Sequence, residues 1–359
     1  MEIKKDTMDK KNLNFYKNKK VVVTGATGFK GAWLCLWLKI LGAKVYGIGF
    51  SPNKNKKLFY SLKLNKKINT KIIDIRNYNK LSKHLKKVNP DIIFHMAAQP
   101  IIHDGYVKPY DTYTINSIGT LNILEIARKL KSIKSIVCVT SDKCYQDKFS
   151  SVGFLEEDKL GGEDPYSGSK ASAEIIINTY IKSFFHKTSI GVASARAGNV
   201  IGGGDFSKDR LVPDSIKFLI AKKTIFLRNP KFNRPWQHVL EPLSGYLKLG
   251  KKIYENPKMY SGAYNFGPKK NTLTNVENVV KKIIKYWGYG SYKKDKKIKY
   301  YEQKNLQLDI KKVKEKINWS PKLSIDKSIK ITIEWYKKVL IDRKLPVEIT
   351  EDQILEYME

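Results

Sequence analysis

Val21-Val22-Val23-Thr24-Gly25-Ala26-Thr27-Gly28-Phe29-Lys30-Gly31 is the stretch on which the fold turns. Three consecutive valines read as a short buried strand, and Phe29 to Leu41 reads as an apolar helix. Between them, Gly25 permits a tight turn, Gly28 lets the backbone approach a pyrophosphate, and Gly31 lets the helix pack closely on the strand. The start of the helix then offers unpaired N–H groups and a partial positive charge to phosphates. A glycine turn alone is weak evidence. Set between a strand and a helix, it predicts a dinucleotide site at Gly25, Thr27, Gly28, Phe29, Lys30 and Gly31.

Moving outward, the first half alternates strand and helix signals, the pattern of a doubly wound parallel sheet in an α/β fold. Strands are expected at Lys44 to Ile48, Lys71 to Ile73, Asp91 to His95, Ser135 to Thr140 and Ser189 to Ala195. Helices are expected at Tyr78 to Lys87, Pro109 to Leu130 and Pro165 to Phe185. After Arg196 the rhythm loosens at Gly202-Gly203-Gly204, and later segments (Val239 to Ile253, Asn275 to Tyr286, Ile325 to Leu340) have helical apolar spacing. The reading is a flexible basic extension over 1–18, a Rossmann domain over 19–196, and a smaller, mainly substrate-binding α/β subdomain over 197–359. Open parallel sheets bind ligands at the carboxyl ends of their strands, so the site belongs in a cleft between the two lobes.

Composition narrows the partners. The 359 residues are 42% hydrophobic, ordinary for a globular chain, and no apolar run approaches bilayer length. The Lys-rich start lacks the apolar core of a signal peptide. Cys35, Cys138 and Cys144 show neither metal-ligand spacing nor a disulfide framework, so no metal is expected and the cytoplasm is the default compartment. The net charge of +34 would suit nucleic acid, but the lysines are spread along the chain and no nucleic-acid-binding signature accompanies them. Nucleic-acid binding is therefore disfavoured. A basic surface still attracts an anionic small molecule.

The chemistry-bearing residues follow the fifth strand. Tyr166 and Lys170, four apart near the start of a helix, share one face, where an ammonium lowers the pKa of a neighbouring phenol for hydroxyl deprotonation. Thr140-Ser141-Asp142-Lys143-Cys144-Tyr145 lies at the strand's carboxyl end. Dehydrogenation of an alcohol needs only a hydroxyl there; an adjacent acid and amine imply further proton transfers. Asp74 either caps the next helix or accepts a hydrogen bond from adenine. Where an acid usually holds the ribose 2′-hydroxyl of NAD, this chain has Ser51. Lys54 and Lys56 suit a 2′-phosphate, which keeps NADP as the alternative to NAD.

Thr140 to Tyr145 resembles the corresponding segment of the CDP-glucose 4,6-dehydratases, a branch of the extended short-chain dehydrogenase/reductases in the NAD-dependent epimerase/dehydratase superfamily. The GxxGxxG spacing belongs to that pattern. The resemblance continues through FHMAAQP (94–100), DPYSGSK (164–170), RAGNVIGGGDFSKDRLVPD (196–214), RPWQHVLEPLSGYL (234–247) and YNFGP (264–268). It implies a lyase that oxidises C4 of a nucleotide hexose, eliminates water across C5 and C6, and reduces C6 with the same bound NAD, as in deoxysugar synthesis for lipopolysaccharide O-antigen.

Within that cycle the resemblance makes Tyr166 the base at the 4-hydroxyl, aided by Lys170 and Ser141. Asp142 is the acid at the C6 hydroxyl and Lys143 the base at C5. Asp142 must then be protonated and Lys143 neutral, which a dry site arranges. Further cofactor contacts are implied at Asp74, Ile75, Ala97, Ala98, Gln99, Asn116, Thr140, Tyr166, Lys170 and Arg196, although Arg196 suits a structural ion pair equally. Substrate contacts are implied at Gln99, His103, Asn199, Arg210, Arg234, Trp236 and His238, the arginines being suited to pyrophosphate. A homodimer or homotetramer is expected. The chain departs from the branch at His103, usually arginine, at Ser51, usually aspartate, and at Ala26, often histidine. A sugar-nucleotide 4-epimerase, a dehydratase for another nucleotide, or a non-catalytic basic nucleic-acid binder are the alternatives.

Overall fold

A computed structural model describes residues 14–50, 57–147, 153–269, 274–294 and 306–359. Seven parallel strands form its central sheet: β1 (Lys20–Thr24), β2 (Lys44–Gly49), β3 (Asn69–Ile72), β4 (Ile92–His95), β5 (Ser135–Val139), β6 (Gly191–Ala197) and β7 (Gly262–Phe266). They lie in the order β7-β6-β5-β4-β1-β2-β3. The order reverses direction beside β1, between β1 and β4, which opens the crevice where doubly wound sheets bind ligands.

β1, β4, β5 and β6 are buried almost end to end, as parallel strands covered on both faces must be. One face packs against α1 (Phe29–Ile40), whose Trp33 and Trp37 are wholly buried. The other is covered by α2 (Tyr78–Val88) and α3 (Pro165–Ser183), through Leu81, Leu85 and Ile177.

The expected helix from Pro109 to Leu130 is interrupted. Two α-helical pieces, Pro109–Tyr113 and Gly119–Ala127, flank a π-helical turn at Thr114–Ile118. The wider turn seats Asn116 in the interior, and such bulges often accompany functional sites.

The second half does not stay in a lobe of its own. Helix α4 (Leu240–Glu255) returns to pack on β5 and β6, and β7 extends the sheet beyond β6. Helices α5 (Val276–Trp287) and α6 (Ile325–Leu340) pack together, and α7 (Pro346–Met358) returns to α1. A Cβ at Gly203 would fall 2.0 Å from the Trp335 ring, so the triple-glycine loop is where α6 presses onto backbone.

The basic extension expected over 1–18 is corrected at its end, residues 1–13 lying outside those described. Tyr16 sits in a short 3₁₀ turn, is buried, and donates its hydroxyl to the Leu247 carbonyl at 2.6 Å. No helix among the described residues is long and apolar enough to cross a membrane.

Candidate active site

The glycine turn is built as its spacing requires. Gly25 has φ of +73°, and a Cβ on Gly31 would lie 2.1 Å from the Gly25 carbonyl oxygen, inside any contact distance. Gly28 is the N-cap of α1 and supplies no side-chain acceptor, so the first-turn N–H groups are available to a ligand. This is the cradle a dinucleotide pyrophosphate takes, and the residues present fit NAD. Thr27 is buried, its methyl packed over Gly49, and Phe29 packs against the core.

α3 is set by its own start. The Asp164 carboxylate accepts from the N–H groups of Tyr166 (2.9 Å) and Ser167 (3.0 Å), with Pro165 at the first helical position. Tyr166, Lys170 and Glu174 then follow at four-residue steps on one buried face. At the end of β5, Ser141 caps a 3₁₀ turn of Asp142–Cys144 and accepts from the Lys143 N–H at 3.2 Å. Its hydroxyl donates to Asp142 Oδ1 at 3.0 Å.

These groups line one cavity of about 370 Å³. Ser141, Asp142, Lys143 and Tyr166 meet His103, Asn199, Arg210, Arg234 and Trp236 on its walls, together with Lys30 and Thr140. The expected catalytic set, apart from Lys170 packed just behind Tyr166, therefore converges with most of the expected substrate set. Arg210 is paired with Asp205 at 3.0 Å.

Burial dominates the electrostatics. It raises the Asp142 carboxyl above its ordinary range, against the pull of Lys143, Ser141, Arg234 and Lys30, so the acid is biased toward carrying a proton. It pushes the Tyr166 phenol up to about 12, with the Ser141 hydrogen bond opposing. The expected lowering of that phenol by Lys170 is therefore overridden by desolvation. Lys170 itself is pushed down to about 8 by burial, with Glu174 pulling it up, and it donates to the Val139 carbonyl at 3.4 Å. Burial also takes Lys30 down to about 7, with Lys170 and Arg210 adding to the effect.

Several expected contacts are corrected. The Gln99 amide is consumed locally: Nε2 donates to the Ile101 carbonyl and to Thr112, both at 2.9 Å, and Oε1 accepts from the Ile101 N–H. It is absent from the cavity wall. Asn116 pins the loop after β4, accepting from the Gln99 N–H at 2.9 Å and donating to Ser169 at 2.9 Å. Arg196 takes the structural ion pair that was its other reading: buried, it binds Glu174 at 2.7 Å and donates to the Tyr145 hydroxyl at 2.8 Å. His238 is fully buried edge-on against Trp33, with ring centroids 5.8 Å apart, away from the cavity.

Asp74 does not cap the next helix, a role Asn77 takes by accepting from Lys80 N–H. Its carboxylate is gripped by Arg76 through Nε and Nη2, the latter at 2.6 Å. Burial opposes but these bonds prevail, and its pKa is lowered. The Ile75 carbonyl accepts from Asn122 at 2.9 Å, and the Ala97 N–H donates to Thr24 at 3.1 Å. Ala98 follows in the same half-buried loop. Ser51, Lys54 and Lys56, which bear on NAD against NADP, lie outside the described residues. Two groups went unread in the sequence: the Lys30 side chain, expected only as loop backbone, and Glu174, for which the third step of the Tyr166–Lys170 spacing was the available signal.

A profile of the GDP-mannose 4,6-dehydratase family matches residues 22–332. The chain belongs to that family. It is 40% identical to a CDP-glucose 4,6-dehydratase of Salmonella typhimurium, over 88% of this chain and 90% of the relative. A UDP-glucose 4-epimerase of Mycoplasma pneumoniae is 26% identical over 57% of this chain and 64% of its own. Among solved structures, a Bacillus cereus UDP-glucuronic acid 4-epimerase, in complex with UDP-glucuronic acid and NAD, superimposes with a TM-score of 0.77 at 23% identity, covering 89% of this chain and 99% of that one. A Bacillus anthracis dTDP-glucose 4,6-dehydratase in complex with NAD gives 0.73 at 23%, covering 89% and 97%. These two establish the α/β fold.

Proposed function

We propose that the chain is an NAD-dependent CDP-glucose 4,6-dehydratase that forms CDP-4-dehydro-6-deoxyglucose and water. The observation that carries the reading is the placing of Ser141, Asp142, Lys143 and Tyr166 on one cavity wall, in a chain so similar to a CDP-glucose dehydratase over nearly all its length. Held against the glycine turn of Gly25, Gly28 and Gly31, NAD would supply the hydride acceptor for C4 and the hydride donor for C6. Tyr166 takes the proton of the 4-hydroxyl, held by Ser141, with Lys170 behind it. The new ketone acidifies C5, Lys143 removes that proton, and Asp142 protonates the departing C6 hydroxyl. A carboxyl whose pKa burial raises is suited to protonating the leaving hydroxyl in an elimination, and 4-epimerisation has no use for it.

Arg210 and Arg234 hold the pyrophosphate, Trp236 and Asn199 flank the sugar nucleotide, and His103 lines the same cavity. The Trp236 indole Nε1 is buried without a hydrogen-bond partner, which leaves it a donor to spare for the ligand. The enzyme works in the cytoplasm as a homodimer or homotetramer. Supporting that assembly, Tyr110, Tyr113, Ile118, Ile175 and Phe184 are exposed on the helical segments between 109 and 184.

The test is incubation with NAD and, separately, CDP-, dTDP-, UDP- and GDP-glucose, followed by detection of a 4-ketone bearing a 6-methyl group. CDP-glucose should be converted. Conversion of another nucleotide alone moves the base assignment, and a 4-epimer without ketone removes the dehydratase reading.

A further inference from the structure

Resting on the dehydratase reading, we propose that His95 is a positioning residue whose imidazole, in one fixed neutral tautomer, ties the glycine turn to the catalytic helix. His95 ends β4 in the FHMAAQP stretch, is absent from the cavity wall, and has no part in the proton transfers.

The ring is 3% exposed and lies between two hydroxyls. Nδ1 stands 2.8 Å from Thr24 Oγ1, and Nε2 stands 3.1 Å from Thr120 Oγ1. Each hydroxyl has one proton, and its other bonds show where that proton goes. Thr24 Oγ1 already accepts from the Met96 and Ala97 N–H groups, both at 3.1 Å, so its lone pairs are taken and its O–H is directed at Nδ1. Thr120 spends its O–H on the Asn116 carbonyl at 2.7 Å, so toward His95 it only accepts. Both ends demand the same imidazole, neutral and with its proton on Nε2. Burial, with the Lys170 charge adding to it, holds the His95 pKa down to about 3, which agrees with a neutral ring.

The ring joins the two halves of the reaction. Thr24 immediately precedes Gly25, and its lone pairs hold the Met96–Ala97 backbone. Gly25 packs so closely there that a Cβ would meet the Ala97 nitrogen at 2.8 Å. On the other side Asn116, in the π-helical turn, donates to Ser169 Oγ at 2.9 Å, and Ser169 donates to the Tyr166 carbonyl at 2.7 Å. Hydrogen bonds and short stretches of backbone thus lead from the turn that fits NAD to the backbone of Tyr166. The 4-hydroxyl proton goes to Tyr166 as the C4 hydride leaves toward the cofactor, so the two sites must stand in register. The chain fixes that register, because reversing any one of its bonds strands a buried polar group.

Asn and Gln each keep one half of the link, the Asn amide reaching the place of Nδ1 and the Gln amide that of Nε2. The experiment measures two quantities for wild type, His95→Asn and His95→Gln: the Kd of NAD by fluorescence titration, and the stopped-flow rate of nicotinamide reduction at saturating NAD. The hydride donor is the 6-deoxy analogue of the nucleotide sugar the enzyme converts, which has no 6-hydroxyl to lose and so stops at the C4 ketone. His95→Asn should bind NAD as wild type does but reduce it more slowly by about 2- to 12-fold, the scale of one neutral hydrogen bond. His95→Gln should keep the wild-type rate and bind NAD more weakly by a similar factor. In histidine nitrogen NMR, the His95 signals, identified by their loss from either variant, should show a protonated Nε2 and a bare Nδ1, unchanged across the range in which exposed histidines titrate.

A histidine that only stabilises the sheet gives a different result: both variants melt earlier, and affinity and rate stay put or fall together. Either of those patterns, an exchange of the two effects between the variants, or a proton on Nδ1 overturns the proposal. Should the His95 variants fail to fold, the isosteric Thr120→Val takes the place of His95→Asn; slower reduction at unchanged NAD affinity supports the link, and any other pattern overturns it. A wild type that binds NAD but yields no ketone from any of the four nucleotide sugars refutes the dehydratase reading, while the tautomer and the NAD affinities still judge His95.

Discussion

Glu174→Gln tests whether the buried pair behind the catalytic helix face holds both the fold and the charge of Lys170. Glu174 is 2% exposed and accepts from Arg196 at 2.7 Å, from Ser194 at 2.8 Å and from Thr140, so its carboxylate has three donors and almost no water. The amide is nearly isosteric but neutral, and it leaves Arg196 buried without a counter-charge. Breaking a buried pair on one side costs about 3–5 kcal/mol. With an unfolding entropy of roughly 2.1 cal/mol/K per residue over the whole chain, that loss lowers Tm by about 4–7 °C.

The same change reaches the active site. Lys170 stands near 8 because burial lowers it while Glu174 holds it up. Without Glu174 its pKa falls further, so a step that needs the ammonium fails at a lower pH and the alkaline limb of the rate profile moves toward acid. Thermal melts and a pH profile of kcat measure the two effects. The double variant Glu174→Gln/Arg196→Met, which strands no charge, should recover part of the stability but none of the shifted alkaline limb. A melting point within a degree of wild type together with an unmoved alkaline limb would refute both halves of the reasoning.

Asp142→Asn should permit C4 oxidation but stop elimination, so the near-ultraviolet absorbance of the reduced nicotinamide builds up on adding CDP-glucose; normal release of 6-deoxy ketone would remove Asp142 from the acid role. Gly31→Ala forces a methyl group against the Gly25 carbonyl, 2.1 Å away, and should weaken NAD binding in a fluorescence titration by about 5- to 150-fold if the protein folds, the scale of the 1–3 kcal/mol that overpacking costs. Lys30→Met removes one of the cations that lower the Asp142 pKa. Asp142 should then hold its proton to higher pH, moving the alkaline limit of the elimination step upward, and a downward shift in that limit would contradict the placement of Lys30.

The fold was legible because its signals are local. Ile325–Leu340 follows the apolar spacing to the residue, and α1 ends one residue before its expected stop. β7 was not read, because Gly262–Phe266 carries no β-branched run and is a strand by virtue of its pairing with β6, more than sixty residues earlier. The break in the helix after Pro109 has a similar origin. The sequence between Thr114 and Ile118 contains neither proline nor a glycine pair, and the π turn goes with the burial of Asn116, whose partners Gln99 and Ser169 belong to other segments.

The site divides along the same line. Tyr166, Lys170, Ser141 and Asp142 were readable because short spacings fix them: four residues along one capped helix, and two adjacent positions at a strand end. Gln99, Arg196 and His238, read as ligand contacts from the sequence, share one feature in the structure. Each carries a polar group suited to a ligand, and each has that group occupied or enclosed by residues distant in sequence: Thr112 for Gln99, Glu174 for Arg196, and the Trp33 ring over His238. A motif states which donors and acceptors are present, but only the tertiary structure shows which of them are already spent. The cavity residues that remain unspent in the protein, Asp142 Oδ2, Ser215 Oγ and Trp236 Nε1 among the buried atoms, are therefore better guides to where a substrate is gripped than the motifs alone.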